Sequence, residues 1–210
     1  MDAWAYDENG WPSGFVGGKL LEDEKNRENY LTFKNGVFDE NSLVSYDISS
    51  DNIKRLKKGD KCDNALNIYK NTSLTTVDIL DDKVVDRFIA ETHEKYEKYF
   101  DGKLSEYIKG FFTDEPQYYA TATPYPHLIK EYFRKNYNAD ILDGLGLLYC
   151  EKQGYREFRY KYYSACQQLF LHNYSEKIYN WCDARGVKLT GHYIEEFGIT
   201  QQMYYCAGIM

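Results

Sequence analysis

The sequence predicts an α/β fold, a partial (β/α)8 TIM barrel with a small β-rich insertion after the first strand. Three observations predict it. Segments with strand character alternate with stretches of helical periodicity long enough for parallel crossovers. Each proposed parallel strand ends in acid, as Tyr6-Asp7-Glu8, Thr113-Asp114-Glu115 and Ile194-Glu195-Glu196, and barrel sites are built at the C-terminal ends of strands. Neither G-x-G-x-x-G nor G-x-x-x-x-G-K-[ST] occurs, which removes the main support for a doubly wound, nucleotide-binding alternative. Three such strands are too few to close eight. Either further strands are hidden from the pattern, or the chain is part of a larger domain.

The first strand is the apolar run at 3–7, and Asn9-Gly10 with Pro12-Ser13-Gly14 marks a sharp exit from it. Gly14, Gly17 and Gly18 let the backbone turn tightly at its rim. Over 15–76 the pattern changes to short segments, Tyr30-Leu31-Thr32-Phe33, Leu43-Val44-Ser45-Tyr46 and Ala65-Leu66-Asn67-Ile68-Tyr69. The punctuation between them, Asn35-Gly36 and Gly59-Asp60, signals hairpins. Asp81 is the expected cap of a helix whose buried stripe is Val85, Phe88, Ile89, Thr92, Tyr96 and Phe100, ending at Asp101-Gly102. A strand over 107–113 follows. A second helix is expected from Pro126 to about 136, carrying Leu128, Ile129, Tyr132 and Phe133 inward. A long helix over 155–185 buries Phe158, Tyr162, Ala165, Leu169, Ile178 and Trp181 and stops at Gly186. The strand at 187–190 comes directly after it.

Composition narrows the function classes. The 210 residues are 43% hydrophobic and 28% charged, an ordinary globular balance for one large domain. A net charge of -7 argues against nucleic acid, which needs a concentrated basic face. No apolar run is long enough to span a membrane. The opening MDAWAYDENGW has no basic segment and does not read as a secretory signal, so a cytoplasmic chain is expected. Five cysteines, an odd count without close pairs, fit neither a disulfide framework nor a zinc knuckle. The 22 tyrosines suit packing against sugar rings, yet for most of them compositional bias is the simpler reading.

Paired carboxylates are what glycoside hydrolysis requires: one protonates the leaving oxygen, the other activates water or attacks the anomeric carbon. A strand-end pocket with aromatic walls can hold one carboxyl neutral while its partner stays charged. Clustered oxygens also suit Ca2+ or Mg2+. Equally, such acids can cap helices or bind backbone amides in loops. His192, just before the third acidic pair, is expected to contact a substrate hydroxyl. Ser13 is not in a G-x-S-x-G elbow, so no serine nucleophile is expected.

Four blocks occur in order: DE-x-x-W-P-S-G from Asp7, T-H-E-x-Y from Thr92, F-T-D-E-P from Phe112 and T-G-H-x-x-E-E from Thr190, followed by Gln201 and Gly208. The ordered set, covering nearly the whole chain, resembles large bacterial β/α-barrel glycoside hydrolases related to the family 106 α-L-rhamnosidases. That resemblance implies a TIM-barrel domain cleaving glycosides through carboxylates. It makes Glu115 the candidate general acid and Glu195 or Glu196 the base or nucleophile, with parity to His192 favouring Glu196. Asp114, His192, Asp7 and Glu8 would line the sugar subsite, with Trp11 as its aromatic wall. No cofactor is required on this reading, although some members hold a calcium ion near the site. Such proteins run longer, so the chain corresponds to the central part of a catalytic domain, with the rest of the barrel expected outside it. The expected partner is a glycoside or oligosaccharide, with neither nucleic acid nor membrane.

Overall fold

The computed structural model describes residues 3–116, 118 and 123–193. They fall into two compact units, one formed by residues 3–28, 73–116, 118 and 167–193, the other by 29–72 and 123–166.

The first unit is built on a three-stranded parallel sheet of order β1 (Trp4–Tyr6), β6 (Gly110–Asp114), β8 (Lys188–His192). Ala5 sits opposite Phe111, and Asp114 opposite His192. Helices α1 (Asp82–Glu91), α2 (His93–Tyr99), α3 (Leu104–Tyr107) and α6 (Glu176–Asp183) belong to this unit. The Asp81 carboxylate accepts the Lys83 N–H and caps α1, whose Val84, Val85, Phe88 and Ile89 are buried. The helix breaks at Thr92, whose hydroxyl turns back to the Phe88 carbonyl at 2.7 Å, and a new helix starts at the buried His93. This break divides the expected stripe, leaving Tyr96 half-exposed. Alternation then sorts the sheet. Ala5, Phe111 and Thr113 are buried, with the Phe111 ring 4.4 Å from His93 and 5.9 Å from Trp181. Trp4 and Tyr6 keep 47% and 38% of their surface exposed on the other face.

The expected long helix is one path with a defect in it. Helix α5 (Tyr155–Phe170) runs into a π-helical turn at Leu171–Ser175 and on into α6. The chain reverses at Gly186, at φ 68°, and enters β8. The strand expected from Tyr107 starts later: Leu104–Tyr107 form one turn of helix, and β6 begins at Gly110. A side chain at Gly110 would meet the Lys188 carbonyl and the Trp4 ring.

The second, antiparallel sheet has the order β4 (Lys54–Arg55), β3 (Val44–Asp47), β5 (Ala65–Val77), β2 (Arg27–Gly36), β7 (Thr123–Pro124). Leu31, Val44, Tyr46, Leu66 and Ile68 are buried in the second unit. There the Tyr46 hydroxyl donates to the Leu142 carbonyl at 2.5 Å, and Tyr162 donates to the Pro124 carbonyl. Both tyrosines are core residues with a satisfied hydroxyl. Helix α4 (Ile129–Tyr137) buries Ile129 and Phe133 and ends at Asn138 in the left-handed region.

This architecture overturns the partial (β/α)8 barrel. Three parallel strands lie side by side in order β1-β6-β8, and the larger sheet is antiparallel. The segments read as a small insertion contain strands of ten and thirteen residues, and they recruit β7 from beyond β6. The physical reason is that βα alternation and acidic strand ends are equally compatible with a short open parallel sheet. Neither signal counts strands. Among the described residues no helix is long and apolar enough to cross a membrane.

Candidate active site

The central strand β6 ends on Asp114, which is gripped from both sides. The Tyr6 hydroxyl of β1 donates to Asp114 Oδ2 at 2.5 Å, and His192 Nε2 of β8 lies 3.1 Å from Oδ1. The Tyr6 distance is that of a charge-assisted hydrogen bond. Burial, and then Asp114 itself, push the Tyr6 hydroxyl well above its usual range, so it remains a donor.

Glu115 follows in the left-handed region at φ 45°. That conformation costs a residue with a Cβ about 1–2 kcal/mol and persists where surrounding contacts over-determine it, often at functional sites. Here the contacts are explicit. The Glu115 N–H donates to the His192 carbonyl at 2.8 Å, Trp11 Nε1 donates to Oε2 at 2.9 Å, and Oε1 lies 3.4 Å from His192 Nδ1. The His192 ring therefore stands between two carboxylates, edge-on to Phe112 at 5.7 Å. Gly191 makes this approach feasible: at φ 130°, a Cβ there would fall 1.9 Å from the Thr113 carbonyl oxygen.

Asp7 belongs to the buried side. It follows Tyr6 in register, its N–H donating to the Phe112 carbonyl, and it is 1% exposed. Its Oδ1 accepts the Ser13 hydroxyl at 2.6 Å, while Oδ2 is buried with no hydrogen-bond partner. Burial pushes this carboxyl up to about 7, against the lowering influence of the Ser13 and Thr113 hydroxyls. Thr113 Oγ1 is in turn 2.9 Å from the Tyr174 hydroxyl. Ser13 also joins the strands directly, since its Oγ accepts the Asp114 N–H at 2.7 Å and its N–H donates to the Asp114 carbonyl at 2.8 Å.

Glu8 serves the loop. Its carboxylate accepts the N–H groups of Asn9, Gly14, Phe15, Val16 and Gly17 at distances between 2.8 and 3.1 Å. Such a convergence of amides is an anion nest. It holds Val16 at φ 55°, unusual for a β-branched residue. Alongside runs a cleft of about 300 Å3, from Tyr6 and Asn9 to Glu91, Lys95 and Tyr96.

Of the residues singled out in the sequence, Asp114, Glu115, His192 and Trp11 converge at one end of the parallel sheet. Asp7 lies beneath them and Glu8 in the loop. Glu195 and Glu196 lie outside the described residues. Sequence reasoning missed two members. Tyr6 had a signal, standing two residues from Trp4 on one strand face and just before an acidic pair. Ser13 had none beyond its turn tripeptide, because its role depends on the loop folding back onto β6.

Several of the described carboxylate oxygens are already engaged by donors. Both Asp114 oxygens already face donors, Glu8 is saturated by amides, and among the described residues no group of three or more His, Cys, Asp or Glu could hold a metal ion. Compared with models of known families, with curated proteins and with solved structures, the chain gives no match in any of the three.

Proposed function

We propose that the end of the parallel sheet is a glycoside hydrolase site of the α-L-rhamnosidase-like kind. The observation that carries the reading is the pair Asp114 and Glu115 at the end of the central strand, bridged by His192 and flanked by Tyr6 and Trp11. Carboxylates and an imidazole together grip sugar hydroxyls, and exposed aromatic faces cover the apolar side of a pyranose. The four ordered sequence blocks support the same assignment. Glu115 is the general acid, protonating the leaving oxygen. Glu195 or Glu196, next in sequence after β8, is the base or nucleophile. Asp114 and His192 hold the sugar, while Asp7 and Glu8 support the site from beneath and from the loop. The test is turnover of a panel of aryl glycosides by the protein carrying this chain, beside Glu115→Gln. Removal of a general acid lowers turnover about 10²- to 10⁴-fold, and unchanged turnover removes Glu115 from that role.

A second reading, carbohydrate binding without hydrolysis, is favoured by one observation. Glu115 is only 7% exposed and is held by Trp11. It predicts oligosaccharide binding in calorimetry with no product, and any turnover by the same preparation rejects it.

A further inference from the structure

Ser13 is 2% exposed and belongs to the first loop, yet it touches both strands that build the site. Its one hydroxyl proton goes to Asp7 Oδ1 at 2.6 Å, and its oxygen accepts the Asp114 N–H at 2.7 Å. A single oxygen atom therefore separates a buried carboxyl from the backbone of the residue that faces Tyr6 and His192. The other groups around Asp7 are Glu8 from the loop, Thr113 and Asp114 from β6, Tyr174 from the π turn and Cys182 from α6. Glu8 and Asp114 add negative charge, while burial raises the Tyr174 hydroxyl and pushes the Cys182 thiol up to about 12, keeping both protonated.

We propose that Ser13 is a positioning residue, coupling the ionisation of Asp7 to the hydrogen bonding of Asp114 at the end of β6. With Asp7 ionised, its oxygen draws the Ser13 proton and makes the Ser13 oxygen a better acceptor for the Asp114 N–H, because linked hydrogen bonds polarise one another. With Asp7 neutral, both bonds weaken. Since burial lifts Asp7 to about 7, the change falls near neutrality. A role in catalysis rests on the glycosidase reading; the coupling itself does not.

The experiment is a pH titration of the isotopically labelled protein by nuclear magnetic resonance, without substrate. The Asp7 carboxyl carbon reads its own ionisation, and the Asp114 amide reads the Ser13 contact. The Asp114 amide is expected to step at the same midpoint as the Asp7 carboxyl. The step is lost in Asp7→Asn. It is lost in Ser13→Ala too, where Asp7 still titrates but at higher pH because a stabilising donor is gone. Ser13→Thr restores it. A flat Asp114 amide through the wild-type Asp7 transition, or a step that survives Ser13→Ala, overturns the proposal. If Ser13→Ala fails to fold, Ser13→Cys takes its place, its weaker donor being expected to shrink the step and an undiminished step overturning the proposal. Failure of the glycosidase reading looks different, as intact coupling with no turnover.

Discussion

Trp11 Nε1 donates to Glu115 Oε2 across 2.9 Å, joining residues 104 positions apart in the chain. The bond fixes one carboxylate oxygen of the candidate acid and leaves the other toward His192. Trp11→Phe keeps an aromatic wall but removes the donor. An ordinary hydrogen bond is worth about 0.5–1.5 kcal/mol, so the lost orientation is expected to lower turnover by up to roughly one power of ten. Kinetics of Trp11→Phe beside Trp11→Ala separate the two roles. Equal activity of wild type and Trp11→Phe would show that the bond does not orient Glu115.

Glu8 organises the loop through five amide donors, so its removal is expected to act on stability. Glu8→Ala leaves the buried Gly14 N–H without its acceptor, at a cost of about 1–3 kcal/mol, and frees four part-buried amides, while Glu8→Gln keeps one accepting oxygen. Denaturant unfolding should therefore rank wild type above Glu8→Gln above Glu8→Ala. A Glu8→Ala chain as stable as wild type would place the nest outside the stability of the loop.

Asp7 gives stability a pH dependence whose sign is fixed. Its carboxyl is raised from 3.8 to about 7, so across that window the folded chain keeps a proton that the unfolded chain has released. Stability falls as pH rises through the window and stays lower above it. Asp7→Asn removes that slope. Glu28, buried and raised to about 8, acts with the same sign, while His93, which burial lowers to about 3, acts with the opposite sign below pH 6.5. Unfolding measured at a series of pH values checks both. The difference between wild type and Asp7→Asn isolates the Asp7 contribution, and a slope unaltered in Asp7→Asn would contradict the burial argument.

Gly191→Ala tests the close approach of β6 and β8. Its Cβ would meet the Thr113 carbonyl oxygen at 1.9 Å on a backbone at φ 130°, so destabilisation well beyond about 1 kcal/mol is expected. Amide exchange at Asp114 and His192 should quicken. A wild-type unfolding midpoint would mean the strands can separate there at no cost.

The legible parts of the sequence were those fixed by local physics. Asp81 announces a helix because a short acceptor precedes apolar residues at helical spacing, and the cap forms. Phe111 and Phe112 stopping on Asp114 and Glu115 mark a strand end, and β6 stops there. Sheet order was not legible, because pairing of β2, β3, β5 and β7 depends on partners that no local pattern names. Residues 104–107 are too few to display a helical period. The fates of Glu8 and Ser13 were hidden for a related reason. Each is decided by how a loop of six to nine residues closes, and only the closed loop brings the amides or the β6 backbone within reach.

Leaving-group dependence distinguishes a proton donor at Glu115 from a merely structural carboxyl. A general acid matters in proportion to how poorly the glycoside's leaving group departs unaided. Wild type and Glu115→Gln are compared on two glycosides of one sugar, one with a nitrophenol and one with an alkyl alcohol as leaving group. A large loss is expected on the alkyl glycoside and a much smaller one on the activated aryl glycoside. Equal losses on both, or none on either, would contradict Glu115 as the proton donor of the site.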